Sequence, residues 1–305
     1  MQVQYQNKRD SLSVARLALL LLILLATLLF NSCRNNPVTS PPVSDEPNIL
    51  RIDFEPAWSP DGQTIAFCRT EDTLLSKTGL WFINADGTNA RQVFNGFFNS
   101  PAWSPDGQWL AFVNNKQIWK VKSNGDSLRR LTTGQGNFEP SWSPDNRYIA
   151  FGGNEGAGIM NTDGAEKKIF PQMGGYPNWH PIERKIISAK SYSPSIWLQF
   201  PILRIDTIAV IERVLDAVKD AINNYPKYSP DGTKILFTSQ TDGSFPQIWV
   251  MNADGSNRRQ LTTTQGYSAC WSPDGTRICY CDSRRANGRL WIMNSDGSNK
   301  RQLTF

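Results

Sequence analysis

Five short segments of this chain are near copies of one another, and their spacing limits the fold before any other property is considered. Trp58-Ser59-Pro60-Asp61-Gly62, Trp103-Ser104-Pro105-Asp106-Gly107 and Trp271-Ser272-Pro273-Asp274-Gly275 are identical. Trp142-Ser143-Pro144-Asp145-Asn146 and Tyr228-Ser229-Pro230-Asp231-Gly232 differ by one residue each. Trp179-His180-Pro181-Ile182 stands as a degraded copy between them. The starts at 58, 103, 142, 179, 228 and 271 are 45, 39, 37, 49 and 43 residues apart. A period of about 40 residues marks a stack of similar supersecondary units.

One unit reads as four strands. Ser-Pro-Asp-Gly suits a type I turn, with proline presetting φ and glycine accepting a positive one. Alternating residues such as Thr64-Ile65-Ala66-Phe67-Cys68 follow as a strand. Gln247-Ile248-Trp249-Val250-Met251 is a second strand, Asn252-Ala253-Asp254-Gly255 a second turn, and Arg259-Gln260-Leu261-Thr262 a short outer strand. The strand leading into each aromatic completes the set.

The strand after the first turn has two apolar faces. Ile65, Leu110, Ile149, Ile186, Ile235 and Ile278 share a face with Phe67, Phe112, Phe151, Ser188, Phe237 and Tyr280. The opposite face is small: Ala66 and Cys68, Ala111 and Val113, Ala150 and Gly152, Cys279 and Cys281. A large face of one sheet against the small face of the next is the requirement of radially stacked blades. The expected fold is all-β, a six-bladed β-propeller of four-stranded antiparallel blades starting near 54, 99, 138, 175, 224 and 267. Ile49-Leu50-Arg51-Ile52 reads as an outer strand able to join the sixth blade. Without such a clasp, closure rests on packing between the first and sixth blades.

These same residues resemble a known family. Trp-Ser-Pro-Asp-Gly followed by Met-Asn-x-Asp-Gly-Ser-Asn-x-Arg-Gln-Leu-Thr is similar to the WD-repeat-like blades of TolB-like propellers. The resemblance covers residues 49–305 and implies the propeller fold. It does not extend to the α/β domain that precedes the propeller in TolB itself.

The N-terminus reads as a targeting segment. Lys8, Arg9 and Arg16 precede an apolar run from Leu17 to Phe30. Fourteen residues are short for a membrane span, which needs about 20, and suit a signal-peptide core. Phe30-Asn31-Ser32-Cys33 resembles the lipobox of bacterial lipoproteins, so Cys33 is the expected lipidation site. Residues 1–33 are thus read as signal, and 34–48, with Pro37, Pro41, Pro42 and Pro47, as a tether. Arg34, where some bacteria use Asp for inner-membrane retention, favours the outer membrane. The expected location is the periplasm.

The formal charge is +5. With Lys8, Arg9, Arg16 and Asp10 set aside, 29 basic and 26 acidic residues remain, interspersed in sign. That pattern is no nucleic-acid footprint. Arg258-Arg259 and Lys300-Arg301 recur at one repeat position and read as solvated strand edges.

Signatures of catalysis are missing. His180 is the one histidine and occupies the turn serine's place. A multi-histidine metal site is therefore excluded. No Gly-x-Ser-x-Gly elbow or phosphate-binding glycine loop occurs. The repeated aspartates serve turns without an ion, and no metal or cofactor is expected. Hairpin pairing about the turn sets Cys270 opposite Ile278, and the cysteines read as small buried thiols.

Function is therefore expected on the face opposite the repeated turns, where loops vary. The candidate binding residues precede the inner strands: Phe54, Glu55, Phe97, Phe98, Phe138, Glu139, Tyr176, Tyr225 and Tyr267. Aromatics around a mouth suit a protein or peptide anchor. Blade four lacks the usual repeat between 191 and 223, and its 211–223 stretch reads either as an amphipathic helix or, preferred, as an outer strand 211–215 followed by a loop or helical turn. The reading is a monomeric, non-catalytic, lipid-tethered scaffold that binds an envelope protein or peptide. The alternative is a propeller lyase acting on glycans, or the accessory propeller of a separately encoded hydrolase.

Overall fold

The computed structural model describes residues 50–305 apart from 72–74, 135, 155, 172–174, 190–201, 207–209, 217–220, 242–243 and 284–286. Residues 202–206 and 210–216 are described by backbone pairing alone. The signal-like run, Cys33 and the proline-rich segment lie outside the described residues. Among the described residues, no helix is long and apolar enough to cross a membrane.

Six four-stranded antiparallel sheets form, each from one continuous stretch of chain, and they are arranged as a propeller. In the first sheet β1 (Arg51–Trp58) pairs with β2 (Thr64–Glu71), β2 with β3 (Gly79–Asn84) and β3 with β4 (Arg91–Asn95). The inner strands of the other five sheets are Phe98–Trp103, Asn137–Trp142, Gly175–Trp179, Ala221–Tyr228 and Tyr267–Trp271. The fourth sheet is completed by Ile202–Asp206 and Val210–Asp216. Its outer segment is thus a strand, and the helical alternative for 211–223 falls away, since 221–223 already belong to the next inner strand. Trp197 and Phe200 of the same insertion lie outside the described residues.

The turns behave as their chemistry demands. In each regular copy the serine hydroxyl donates to the aspartate Oδ1, at 2.5 Å in Ser59–Asp61, Ser104–Asp106, Ser229–Asp231 and Ser272–Asp274. The same carboxylate accepts the amide two residues on, as Gln63 N to Asp61 at 3.0 Å. The amide five residues past the serine donates to its Oγ, as Thr64 N to Ser59 at 2.9 Å. Gly62, Gly107, Gly232 and Gly275 hold φ near +70°, a region that costs a residue with a Cβ. Asn146 takes the same conformation at φ 58°, as asparagine tolerates. One oxygen of each carboxylate thus takes both the serine hydroxyl and the amide. The final Leu-Thr of the repeat has its own task. Leu261 and Leu303 enter the core, while Thr262 and Thr304 hydroxyls accept the amides of Ile248 and Leu290 at 3.0 Å.

Packing between sheets follows the large-on-small rule. Ala66, Cys68 and Phe82 of the first sheet meet Leu110 and Phe112 of the second. Ala111 and Val113 meet Ile149 and Phe151. Ala150 and Ala157 meet Trp179 and Ile186; Ile187 meets Ile235 and Phe237; Leu236 meets Ile278 and Tyr280. The series returns to its start, for Cys279, Cys281 and Leu290 pack on Trp58, Ile65 and Phe67. Each fully buried Phe contributes about 1.5–3 kcal/mol through removal from water. Ser188 is the exception at this position. It is fully buried where other sheets carry Phe or Tyr, and its hydroxyl has no hydrogen-bond partner among the described residues.

Ring closure departs from the sequence expectation. Arg51 and Ile52 do not form an outer strand of the last sheet; they lengthen the inner strand of the first. The extension faces the last sheet, where Asp53 N donates to Gly288 O at 3.0 Å and Arg289 Nη1 to Arg51 O at 2.7 Å. Closure rests on this contact and on the shared core. The basic pairs stand on solvated edges: Arg259, Lys300 and Arg301 are exposed, the two arginines in the outer strands of their sheets, and Arg258 is half-buried. Arg259 reaches the next sheet's turn at Asp296 O, 2.8 Å away, and Arg301 crosses the closure to Asp86 O at 3.5 Å. Arg258 lies over Trp249 at 4.5 Å.

Candidate functional site

The site grows out of an irregularity shared by all six inner strands. Three residues before each aromatic, the backbone turns left-handed: Glu55, Ser100, Glu139, Tyr176, Tyr225 and Ser268 have φ between 47° and 58°. The strand register breaks at each of these points. A bulge leaves one residue out of the ladder and re-aims its side chain. Proline follows in five cases, at 56, 101, 140, 177 and 226, where its missing N–H costs nothing because the ladder is already broken. Non-glycine residues in this conformation cost of the order of 1–3 kcal/mol each, and six alike mark an architectural device.

The bulges aim six side chains into a central channel of about 360 Å³. The residue just before each aromatic also lines it: Ala57, Ala102, Ser141, Asn178, Lys227 and Cys270. Some of these tie neighbouring inner strands together. Ser141 Oγ accepts Trp179 N at 3.2 Å, and Asn178 Oδ1 accepts Tyr228 N at 2.8 Å. Three of the tryptophans add bonds between neighbouring sheets. Trp103 Nε1 donates to Ala57 O at 3.1 Å, Trp142 to Ala102 O at 3.0 Å and Trp271 to Lys227 O at 3.3 Å. The repeated tryptophan is thus both core and inter-sheet strut.

Charge in the channel is concentrated on few groups. Glu55 from the first sheet accepts the Ser100 amide through Oε2 at 2.5 Å. Lys227 comes from the fifth sheet. Burial deep in the wall lowers its pKa, against the opposing pull of Glu139, Cys270 and Glu55. Its side chain is half-buried and borders the channel. Tyr176 and Tyr225 meet edge to face with ring centres 4.3 Å apart. Two carboxylates, one ammonium and an aromatic pair thus face one cavity, a size and mix typical of ligand sites.

The nine residues singled out in the sequence separate into groups. Glu55, Glu139, Tyr176 and Tyr225 line the channel. Phe138 borders a recess of about 400 Å³ at its mouth, beside Lys116 and Glu139. Tyr267 borders a smaller recess of about 180 Å³ with Tyr176 and Tyr225. Phe54 and Phe98 instead cover gaps between sheets, Phe98 standing 5.3 Å edge-on to Phe112. Phe97 is exposed at 65% on the loop entering the second sheet. Ser100, Ser141, Asn178, Lys227, Ser268 and Cys270 were not singled out as channel residues. Their signal was the x-Pro-y-Trp spacing, in which x and y both face the channel.

His180 lies at the opposite end, in its turn. Its Nδ1 accepts the amides of Ile182 at 3.3 Å and Glu183 at 2.9 Å, standing in for serine and aspartate together. It is buried against Tyr228, with ring centres 4.7 Å apart. Among the described residues no cluster of three or more His, Cys, Asp or Glu could hold a metal ion.

Cys270 corrects the expected pairing. The turn closed by Ser272 N and Arg277 O sets Trp271 opposite Ile278 and hence Cys270 opposite Cys279; the bulge at Ser268 shifts only the pairing beyond, at Tyr267. Cys68, Cys270, Cys279 and Cys281 are all outside disulfides.

Comparison with known proteins matches this geometry. Residues 46–169 and 159–305 match the family described as TolB beta propeller domain. The Tol-Pal system protein TolB of Anaeromyxobacter dehalogenans (strain 2CP-C) is 38% identical over 89 residues, which are 28% of this chain and 18% of that protein. The uncharacterized peptidase YuxL of Bacillus subtilis (strain 168) is 40% identical over 55 residues, 17% of this chain and 8% of that protein. The chain therefore spans less than a fifth of these relatives' length in the matched regions. Among solved structures, TolB from Acinetobacter baumannii superposes with a TM-score of 0.65 at 22% identity, over 82% of this chain and 62% of that one. An oligogalacturonate lyase in complex with manganese gives 0.56 at 13% identity, over 84% and 78%. These structural likenesses establish the fold. With both halves of the described residues matched to one family and the sheets arranged as that fold requires, the chain belongs to the TolB beta propeller domain family.

Proposed function

We propose that this propeller is a non-catalytic scaffold of the bacterial envelope that binds an extended peptide or protein segment at the channel mouth. The observation that carries it is the ring of six left-handed bulges. Their backbone is the same in every sheet, yet their side chains differ: Glu55, Ser100, Glu139, Tyr176, Tyr225 and Ser268. Five of the six turns at the other end keep both backbone and, within a residue, sequence. Variation on a constant frame is how a rigid scaffold presents specificity. Tyr176 and Tyr225 supply aromatic anchors, and Glu55 with Glu139 supplies charge to orient a segment. The matched Tol-Pal system protein supports an envelope setting, and the signal-like N-terminus supports a periplasmic one with a lipid tether at Cys33. Within this reading the protein acts as a monomer and needs no cofactor.

The non-catalytic part rests on chemistry. The sole histidine is spent in a turn. The test compares wild type with Tyr176→Ala/Tyr225→Ala in affinity capture from envelope extracts. The expected result is a defined partner lost in the variant while the melting temperature stays near wild type. Equal capture by both proteins would refute the mouth as the binding site. Turnover of oligogalacturonate or another acidic oligosaccharide by the purified protein would refute the scaffold reading.

A further inference from the structure

The last sheet carries two thiols in a relation that the channel makes chemically useful. Cys270 lies on the inner strand Tyr267–Trp271 and Cys279 on its neighbour Arg277–Cys281, where they are direct cross-strand partners. Directly opposed residues of antiparallel strands have Cα atoms about 4.5–5.5 Å apart. A disulfide spans Cα separations of about 4.4–6.8 Å, so the backbone needs little adjustment to join them. Cys279 belongs to the core cluster that Cys270 packs against.

Their environments divide the labour. Cys270 is half-buried and borders the channel, close enough to Lys227 to bear on that ammonium's charge. Cys279 has no exposed surface and packs on Trp58 and Phe67 of the first sheet. Burial pushes its thiol well above the usual range, so a reagent in solution meets Cys270 first. Cys281 is fully buried, stands opposite Tyr267 and donates to Ser283 O at 2.8 Å. It is a built-in control, a third thiol nearby that lacks the cross-strand partner.

We propose that Cys270 and Cys279 are a redox pair opening onto the channel, oxidised by low-molecular-weight disulfides that enter it. The Cys270 sulfur, giving up its proton, attacks one sulfur of the small disulfide. A mixed disulfide forms, and the first thiol leaves with that proton. The Cys279 sulfur, likewise losing its proton, attacks Cys270 in the mixed disulfide, and the second thiol leaves. Two electrons pass from the protein to the reagent: one protein dithiol and one small disulfide become one protein disulfide and two small thiols. The product staples the inner strand to its neighbour at the channel wall. This assignment stands apart from the scaffold reading, since it needs only the channel and the strand register.

The probe is oxidised glutathione, applied to the full chain purified under reducing conditions. Thiols remaining afterwards are alkylated in denaturant, and linked peptides are mapped by mass spectrometry. The expected product joins the peptide of Cys270 to that of Cys279 and leaves Cys68 and Cys281 alkylated. In Cys279→Ala, checked for an unchanged melting profile, Cys270 should retain one glutathione as a stable adduct. Cys270→Ser should show neither product at this site. Wild type that keeps both thiols, carries a lasting glutathione on Cys270, or links Cys279 to Cys281 would overturn the proposal. So would a 270–279 link that forms only in urea, because the folded register would then play no part. The wild-type map decides the matter even if Cys279→Ala fails to fold.

Discussion

Asp53→Ala should be among the most damaging single substitutions in the propeller, and its cost should nearly vanish when Arg69 is replaced as well. Asp53 has no exposed surface, and Arg69 is 7% exposed. They are joined by two bonds, Arg69 Nε to Oδ1 at 2.5 Å and Nη2 to Oδ2 at 3.0 Å. The guanidinium is stacked 4.2 Å from the Trp81 ring and cannot swing into water without giving that up. Removing one partner of a buried pair leaves an uncompensated charge, worth about 3–5 kcal/mol. Replacing both by apolar groups of similar shape is often close to neutral. The pair also holds the strand extension whose Asp53 amide bonds Gly288 across the closure, so the loss should be felt by the ring. For a domain of this size each kcal/mol moves the melting temperature by about 2–4 °C. Asp53→Ala should therefore melt about 6–20 °C below wild type, and Asp53→Ala/Arg69→Met should recover most of that. Thermal melts of wild type, both singles and the double give the coupling directly. A single-mutant cost below about 1 kcal/mol, or a double no better than Asp53→Ala, would refute the reasoning that the buried charge is the source of the loss.

Two further outcomes test the turns. Gly232→Ala should cost more than Gly275→Ala although both glycines hold φ near +70°, because a Cβ at 232 would clash with His180 Nε2 and one at 275 has nothing nearer than 3.7 Å. The positive φ alone accounts for about 1 kcal/mol at either site. Adding His180→Ser should bring the Gly232 cost down to that of Gly275, read by denaturant titration; equal costs in the wild-type background would contradict the contact. Hydrogen bonds from Ser272 and the Thr276 amide hold Asp274 down at about 2, and Ser59 and Ser229 lower Asp61 and Asp231 in the same way. A depressed folded-state value means the stabilisation is complete above the unfolded carboxylate's pKa, about 4, and is lost as pH falls towards 2. Melting temperature should drop between pH 4 and pH 2 and should drop less steeply in Asp274→Asn; an unchanged slope would remove Asp274 from the account.

The boundary between legible and illegible features follows the range of the interactions. Turns built from serine, proline, aspartate and glycine depend on residues within five positions, so their chemistry shows in sequence order. Strands buried on both faces show as alternation without charge, and this was enough to predict stacked sheets. Phe54 and Phe98 pack against the cores between sheets, and aromatic character alone does not tell such a residue from one that lines the mouth. Cys270 was misaligned because the turn closes between Ser272 and Arg277, which faces Trp271 with Ile278 and moves Cys270 on to Cys279.

What the sequence by itself determined is the repeating unit: where each turn falls, which strand face is large, and that the units must stack. Those properties are local and recur, so each copy confirms the others. What only the tertiary structure decided is the channel. Glu55, Glu139, Lys227 and Cys270 are 84, 88 and 43 residues apart along the chain. They converge because six similar sheets stacked side by side return on themselves, and because a bulge in each inner strand turns its side chain toward the axis. Closure of the ring, through Asp53, Arg289 and the core shared by the first and last sheets, is likewise a contact between chain ends that no local pattern encodes.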